Sequence, residues 1–158
     1  MFMKNPKLEQ INELISLFYE IGRMTAALEK TPKTYGTDEM LYSNESHTLE
    51  MIGNHEGITQ KELSDQMYRT KGATSIVIDK LVKRGLVEKR CGVIDGRSNS
   101  LFLTEKGKFV NECHVKYDNQ MIGKWFESLE LTEDEMKVTC HVLRICLDYY
   151  EKNIYKSK

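Results

Sequence analysis

Basic side chains concentrate in the middle of this 158-residue sequence. Residues 57–110 carry eleven Lys and Arg against six Asp and Glu, a net charge of +5. The rest of the chain carries twelve Lys and Arg against eighteen Asp and Glu, a net charge of −6, so the whole-chain value of −1 conceals the contrast. A basic segment between acidic flanks is the electrostatic pattern of a protein that binds a polyanion. We predict that this polyanion is double-stranded DNA.

Two kinds of side chain in this segment suit DNA binding. Short or flexible polar groups reach base edges and phosphates, and cations neutralise phosphates. The polar set is Thr70, Lys71, Thr74 and Ser75, and the cations are Arg69, Lys71, Lys80, Lys83, Arg84, Lys89 and Arg90. Arg97 follows the turn signal Asp95-Gly96. We expect Arg97 to enter the minor groove, because narrow A·T-rich DNA concentrates negative potential there.

Two other functional classes are alternatives to DNA binding. The sequence lacks the GxSxG, Walker, GxGxxG and HExxH motifs. Cys113-His114 and Cys140-His141 are adjacent in predicted helices, where neighbours point about 100° apart, so neither forms a nucleophile–base pair. We therefore predict that the protein is not an enzyme. A helix-turn-helix that binds only protein is the other alternative, and its charges would then be a solvated face.

Hydrophobic periodicity predicts the elements that position these residues. Apolar residues at steps of three and four predict helices, and short β-prone runs around a tight-turn signal predict a hairpin. The predicted helices are Leu8 to about Glu29, Ser43 or Asn44 to His55, Thr59 to Met67, Gly72 or Ala73 to Arg84, Thr104 to about Phe126, and one from the capping box at Leu131–Glu135 to about Ile154. The predicted strands are Leu86–Cys91 and Ser100–Leu103, with a loop over residues 33–42.

Two short helices joined by a tight turn and followed by a hairpin form a winged helix-turn-helix. We therefore predict a mainly α fold with a small β-hairpin wing. It is one domain over residues 1–158, with the winged helix-turn-helix lobe at residues 43–104. The flanking helices, residues 8–30 and 105–156, carry more apolar surface than a small lobe covers. They are predicted to make a homodimer.

Several motifs resemble the MarR family of bacterial transcriptional regulators. They are Glu62-Leu63-Ser64 and Asp79–Gly85 in the helices, and Gly85–Arg90, Asp95–Ser98 and Leu101–Gly107 in and directly after the hairpin. The resemblance implies a dimeric repressor of a pseudo-palindromic operator, with a small effector that changes the spacing of the recognition helices. It implies a recognition helix over Lys71–Lys80, which includes Gly72. It also implies a wing in which Asp95 supports Arg97, with Ser98 beside it.

One position departs from the family pattern. This sequence has Ile76 where members often carry a polar or basic residue. The run Ile76-Val77-Ile78 is apolar all round, so periodicity does not decide which of its sides faces DNA. We expect Ile76 to pack against the protein, and contact with a thymine methyl group is the alternative.

Three effector classes remain open. Residues 46–53 and 114–121 resemble the FabT-like branch of the family, which implies an acyl chain or acylated carrier protein. The candidate effector pocket is Phe18, Ile21, His47, Met51, His114, Tyr117 and Met121, unless these residues are dimer and lobe core. A metal is the second class, since His47, Glu112, His114 and Asp118 could converge. An oxidant is the third, with Cys91 and Cys113 as candidate thiols.

The remaining features bear on location and cofactors. No apolar run approaches the ~20 residues of a membrane span, and the first residues lack the apolar core of a signal peptide. The four cysteines form no CxxC pair. We predict a cytoplasmic protein with reduced thiols, no membrane partner, no resident metal and no required cofactor.

Overall fold

The computed structural model describes residues 6–91 and 99–155 and is mainly helical. Its helices and strands follow the predicted order within a few residues. They are α1 (Pro6–Leu28), α2 (Ser43–Asn54), α3 (Gln60–Gln66), α4 (Lys71–Lys83), β1 (Val87–Cys91), β2 (Asn99–Leu103), α5 (Glu105–Ser128) and α6 (Glu133–Tyr150), with a π-helical turn at Glu151–Tyr155. The predicted fold class, mainly α with a β-hairpin wing, is confirmed.

The chain divides into two compact units, one up to residue 117 and the other from residue 118. Among the described residues of the first unit, one apolar core is supplied mainly by α2, α3, α4, the hairpin and the start of α5, together with residues of the connecting segments. Its most buried side chains are Leu41, Leu49, Ile52, Leu63, Ile78, Leu81, Leu86, Leu101 and Val110. This core holds α3, α4 and the described part of the hairpin together, and so it positions the side chains on these elements that are predicted to contact DNA.

The segment before α2 contributes more to this core than a predicted loop implies. Lys33 and Leu41 form an antiparallel bridge, and the Leu41 side chain is fully buried. Tyr35 adopts a positive φ of 52°, and its ring is also buried. The Tyr35 hydroxyl lies 3.1 Å from the Ser46 hydroxyl of α2. Residues 33–42 therefore close one side of the core.

A network of charges joins this segment to α4 and α5. The Glu39 carboxylate accepts hydrogen bonds from Arg84 and forms an ion pair with Lys106. Arg84 also donates to the Met40 carbonyl at 2.9 Å and lies 3.5 Å from the Glu45 carboxylate. The hydrogen bonds from Lys106 and Arg84 lower the pKa of Glu39 below its ordinary value. The network ties the end of α4 to elements distant in sequence.

The terminal helices present apolar side chains to solvent in the isolated chain. Every described side chain of α1 is exposed, and no residue of α6 is buried. The exposed apolar residues of these two helices include Leu14, Ile15, Phe18, Ile21, Met136, Val138, Leu143 and Leu147. Exposed apolar surface of this kind is typical of a subunit interface. The homodimer itself stays a prediction.

Among the described residues, no helix is both long enough and apolar enough to cross a membrane.

Candidate nucleic-acid interface

Local capping interactions set the start of both helices in the helix-turn-helix. The Thr59 hydroxyl accepts a hydrogen bond from the Glu62 amide at 3.2 Å, and the Glu62 carboxylate accepts from the Thr59 amide at 2.9 Å. This confirms the predicted capping box. The Thr70 hydroxyl accepts from the Ala73 amide at 3.2 Å and begins α4. The Gln60 amide side chain donates to the Lys71 carbonyl at 3.2 Å, which connects the two helix starts.

One face of α4 packs on the core and the opposite face is exposed. The buried positions are Thr74, Val77, Ile78 and Leu81. The exposed positions are Lys71, Gly72, Ala73, Ile76, Asp79, Lys80 and Lys83. The exposed set contains Lys71, Gly72 and Lys80, three of the residues predicted to contact DNA.

Two predictions for α4 need correction. The sequence predicts that Thr74 reaches DNA, but Thr74 is only 1% exposed and its hydroxyl donates to the Thr70 carbonyl at 3.1 Å. It therefore serves the helix start and the core. The sequence also predicts that Ile76 packs against the protein, but Ile76 is 61% exposed. Ser75 is half-buried, and its hydroxyl lies 3.5 Å from the Asp79 carboxylate.

The hairpin stands beside the helix-turn-helix as the wing of the fold. Its strands pair antiparallel, with Val87 opposite Leu103 and Cys91 opposite Asn99. Thr59 forms a further bridge with Ser100, so the wing is attached to the start of α3. The predicted contact residues at its tip, Asp95, Arg97 and Ser98, lie outside the described residues.

Cations of the first unit divide into outward and inward groups. The Arg69 guanidinium donates to the Asn44 carbonyl at 3.3 Å and to the Thr48 hydroxyl at 3.1 Å. Burial lowers the pKa of Arg69 from its ordinary value. Arg69 therefore holds the turn against α2, a role that the sequence does not predict. Arg84 also faces inward, where it forms an ion pair with Glu39.

Outward cations line α4 and β1. Lys71, Lys80 and Lys83 are exposed on α4. The Lys89 ammonium of β1 lies 2.7 Å from the Asp79 carboxylate, which joins the wing to α4 and lowers the pKa of Asp79. Arg90 pairs with Glu88 and lies over the Phe102 ring, 4.3 Å from its centroid. The arrangement presents positive charge along one helix and the adjoining strand.

At the junction between the wing and α5, the backbone at Gly107 lies directly against the backbone at Leu86. The Thr104 hydroxyl accepts from the Gly107 amide at 3.0 Å and donates to the Gly85 carbonyl at 2.7 Å. Gly85 has the positive φ predicted for the cap that ends α4. A Cβ added to Gly107 would lie 1.9 Å from the Leu86 carbonyl oxygen. Only glycine fits at residue 107, which explains the Thr104–Gly107 motif physically.

The candidate effector residues fall into two groups. His114 is buried at 1% exposure, with its ring centroid 5.4 Å from that of His47 and 4.7 Å from that of Tyr35. The Tyr35 and Tyr117 rings also meet, with centroids 5.4 Å apart. Met51 and Tyr117 pack on the core. The other candidates, Phe18, Ile21 and Met121, are exposed.

The residues considered for metal and oxidant sensing have distinct surroundings. His114 Nε2 lies 3.5 Å from the Glu50 carboxylate, an acidic neighbour that the sequence does not predict. Asp118 follows one turn after His114 in α5, whereas Glu112 is two residues away and on another side of the helix. Cys91 is exposed at the end of β1, and Cys113 is half-buried in α5.

Sequence and structure comparisons agree with this geometry. Residues 41–98 match the model of the MarR family. The chain is 27% identical over 75 residues to the organic hydroperoxide resistance transcriptional regulator of Bacillus subtilis. It is 30% identical over 112 residues to YhjH of the same organism, described as an uncharacterized HTH-type transcriptional regulator. These alignments cover 48% and 69% of this chain, and the chain spans 51% and 63% of the two relatives.

A solved structure shares the fold over nearly the whole chain. FabT of Streptococcus pneumoniae, crystallised in complex with DNA, is 24% identical and superposes with a TM-score of 0.67. The match covers 91% of this chain and 97% of FabT. The likeness shows a common fold.

Proposed function

We propose that the protein is a sequence-specific DNA-binding transcriptional repressor of the MarR family, whose model matches residues 41–98. The observation that carries the proposal is the outward face of α4, where Lys71, Lys80 and Lys83 are exposed beside the wing. Both matched relatives are described as transcriptional regulators. We propose no catalytic step for the chain, and we propose a cytoplasmic location, in which a regulator has access to chromosomal DNA.

The proposed mode of binding follows from the dimensions of α4. An α-helix with its side chains is about 10–12 Å across, and the major groove is about 12 Å wide, so α4, a helix of 13 residues, fits within the groove. Lys80 and Lys83 then neutralise phosphates at the groove edge, while Arg90 does so from the wing. Arg97 enters the neighbouring minor groove.

We also propose that the working form is a homodimer. The apolar side chains exposed on α1 and α6 provide the surface that a second copy would bury. A two-fold symmetric dimer presents two copies of α4 to half-sites about one helical turn, roughly 34–36 Å, apart. Repression follows if the occupied operator overlaps the promoter. A change in the spacing of the two α4 helices would weaken the contacts with both half-sites together.

A small effector is the proposed source of that change in spacing. The sequence resemblance points to an acyl chain or acylated carrier protein, or another lipophilic ligand. A metal-responsive regulator of the same fold is the second candidate, favoured by the neighbouring rings of His47 and His114 and by the carboxylate of Glu50. Zinc added to the protein–DNA complex would change DNA affinity under the metal hypothesis. Long-chain acyl carrier protein, with unacylated carrier as control, would do so under the acyl hypothesis.

The test of DNA recognition is selection from a random duplex library by the full chain at two salt concentrations. Counterion release makes non-specific affinity fall steeply with salt, whereas base contacts preserve preference among sequences. The proposal predicts a shared palindromic sequence that persists at the higher salt. Salt-sensitive recovery with no shared sequence would overturn it, because it shows charge attraction alone. The absence of any salt-dependent affinity for DNA would favour a winged-helix protein that binds only protein.

A further inference from the structure

Ile76 occupies the centre of the outward face of α4. Successive helix residues are turned by 100°, and the buried residues Thr74, Val77, Ile78 and Leu81 define the inward direction. Relative to that direction, Ile76 projects to the opposite side of the helix. Its side chain is 61% exposed, although the two residues that follow it are buried.

The neighbours of Ile76 on this face are small or charged. The outward stripe is Gly72, Ile76, Asp79, Lys80 and Lys83. Gly72, one turn before Ile76, has no atom within 4 Å of the place where a Cβ would be, so the fold itself does not require glycine there. The stripe thus begins with glycine, which has no side chain, and continues with one branched aliphatic side chain. An aspartate paired with Lys89 and two lysines complete it.

This order of side chains corresponds to the surface of a major groove. The C5-methyl of thymine is the apolar group that base edges present in that groove, and apolar side chains contact it. Phosphates border the groove and attract the lysines. A glycine one turn before Ile76 lets the helix backbone approach the bases, which brings the isoleucine to the groove floor.

We infer that Ile76 is a specificity-determining residue that selects thymine by contacting its methyl group. The inference rests on the proposed function, since it requires α4 to enter the major groove. An isoleucine side chain forms no hydrogen bonds, so a search for hydrogen-bonding residues would not identify Ile76 as a base contact. It also accounts for the exposure of a large aliphatic side chain that the fold leaves unburied.

The experiment compares thymine with uracil, which lacks only the methyl group. The full chain selects a binding sequence from a random duplex library, and that duplex is then synthesised with dU replacing dT at one position at a time. Burial of one methyl group is worth about 0.8 kcal/mol, so we expect wild-type affinity to fall about fourfold at each contacted thymine. The variant Ile76→Ala should bind the dT and dU duplexes equally.

The matched control is Lys80→Ala, one turn further along the same face of α4. Removing a phosphate-binding lysine should weaken binding to the dT and dU duplexes by the same factor and leave their ratio unchanged. Thermal melting of both variants reports whether the fold is retained. Since Ile76 is exposed, Ile76→Ala should melt close to the wild type.

The outcomes separate this inference from the proposed function. A dU penalty that is equal in the wild type and Ile76→Ala would overturn the role of Ile76 while leaving DNA recognition intact. If the wild type binds the dT and dU duplexes with equal affinity, the role of Ile76 is likewise overturned and DNA recognition is unaffected. Failure of the wild type to select any sequence would overturn the proposed function and the inference with it.

Discussion

Gly107→Ala is expected to destabilise the protein strongly, because the added methyl group meets backbone. Its Cβ would lie 1.9 Å from the Leu86 carbonyl oxygen, whereas a close carbon–oxygen contact is about 3.3 Å. The start of α5 must therefore move by about 1.4 Å away from the base of the wing. The Leu86 carbonyl accepts from the Thr104 amide at 3.1 Å, so this movement also disturbs the hydrogen bonds that begin α5.

The expected magnitude combines these effects. Overpacking costs about 1–3 kcal/mol, and each hydrogen bond or cap that is broken costs about 1 kcal/mol. Gly107→Ala should thus lower the free energy of unfolding by about 3–5 kcal/mol and reduce Tm by roughly 10 °C. Circular dichroism of thermal and urea unfolding measures both quantities.

Gly72→Ala is the matched control, since it makes the same chemical change in the first turn of another helix. Nothing lies within 4 Å of the added Cβ, and alanine is favoured over glycine in helices by about 0.5–1 kcal/mol. We expect its stability to equal or slightly exceed that of the wild type. If Gly107→Ala and Gly72→Ala unfold within about 1 kcal/mol of each other, the reasoning from the close approach is refuted.

Three further predictions concern a charge network, a cap and the wing. Glu39→Gln should cost about 1–2 kcal/mol at neutral pH. Because Arg84 and Lys106 lower the pKa of Glu39, this stabilisation is complete above the unfolded-state pKa and is lost as pH falls through the folded-state pKa. Urea unfolding from pH 7 down to pH 3 should show wild type and variant converging, and a difference that persists in acid would contradict the assignment. Thr59→Ala should lower the free energy of unfolding by about 1 kcal/mol, with thermal melting as the measure and an unchanged Tm as the contrary result. Arg97→Ala should weaken operator binding by about 1–3 kcal/mol without a change in Tm, and unchanged affinity would remove its minor-groove role.

The order of helices and strands is predictable because local chemistry determines it. The Thr59 and Thr132 capping boxes begin α3 and α6 as expected, and Gly85 ends α4 with a positive φ. These signals lie within a few residues of the feature they specify, so a single sequence contains them. Helix boundaries agree to within a few residues for the same reason.

The features that the sequence does not predict depend on tertiary contacts. Arg84 meets Glu39 across 45 positions of sequence, and no local pattern indicates that this cation is committed within the fold. Thr74 and Ile76 lie on the sides opposite to those expected, because an apolar run is compatible with either orientation. The core beneath α4 decides between them through the buried positions Val77 and Leu81.

The central claim is that the outward lysines of α4 bind the phosphates of a specific duplex. The most direct measurement is the salt dependence of affinity for the selected duplex, compared among the wild type, Lys80→Ala/Lys83→Ala and Lys137→Ala. Lys137 is an exposed lysine of α6 that pairs with Glu133, and it serves as a control for removal of surface charge. We predict that only the double variant binds more weakly. In a plot of log affinity against log salt concentration, its slope should be shallower by about 0.9 for each phosphate that is no longer neutralised. An unchanged slope in the double variant, or an equal decrease in Lys137→Ala, would contradict the claim.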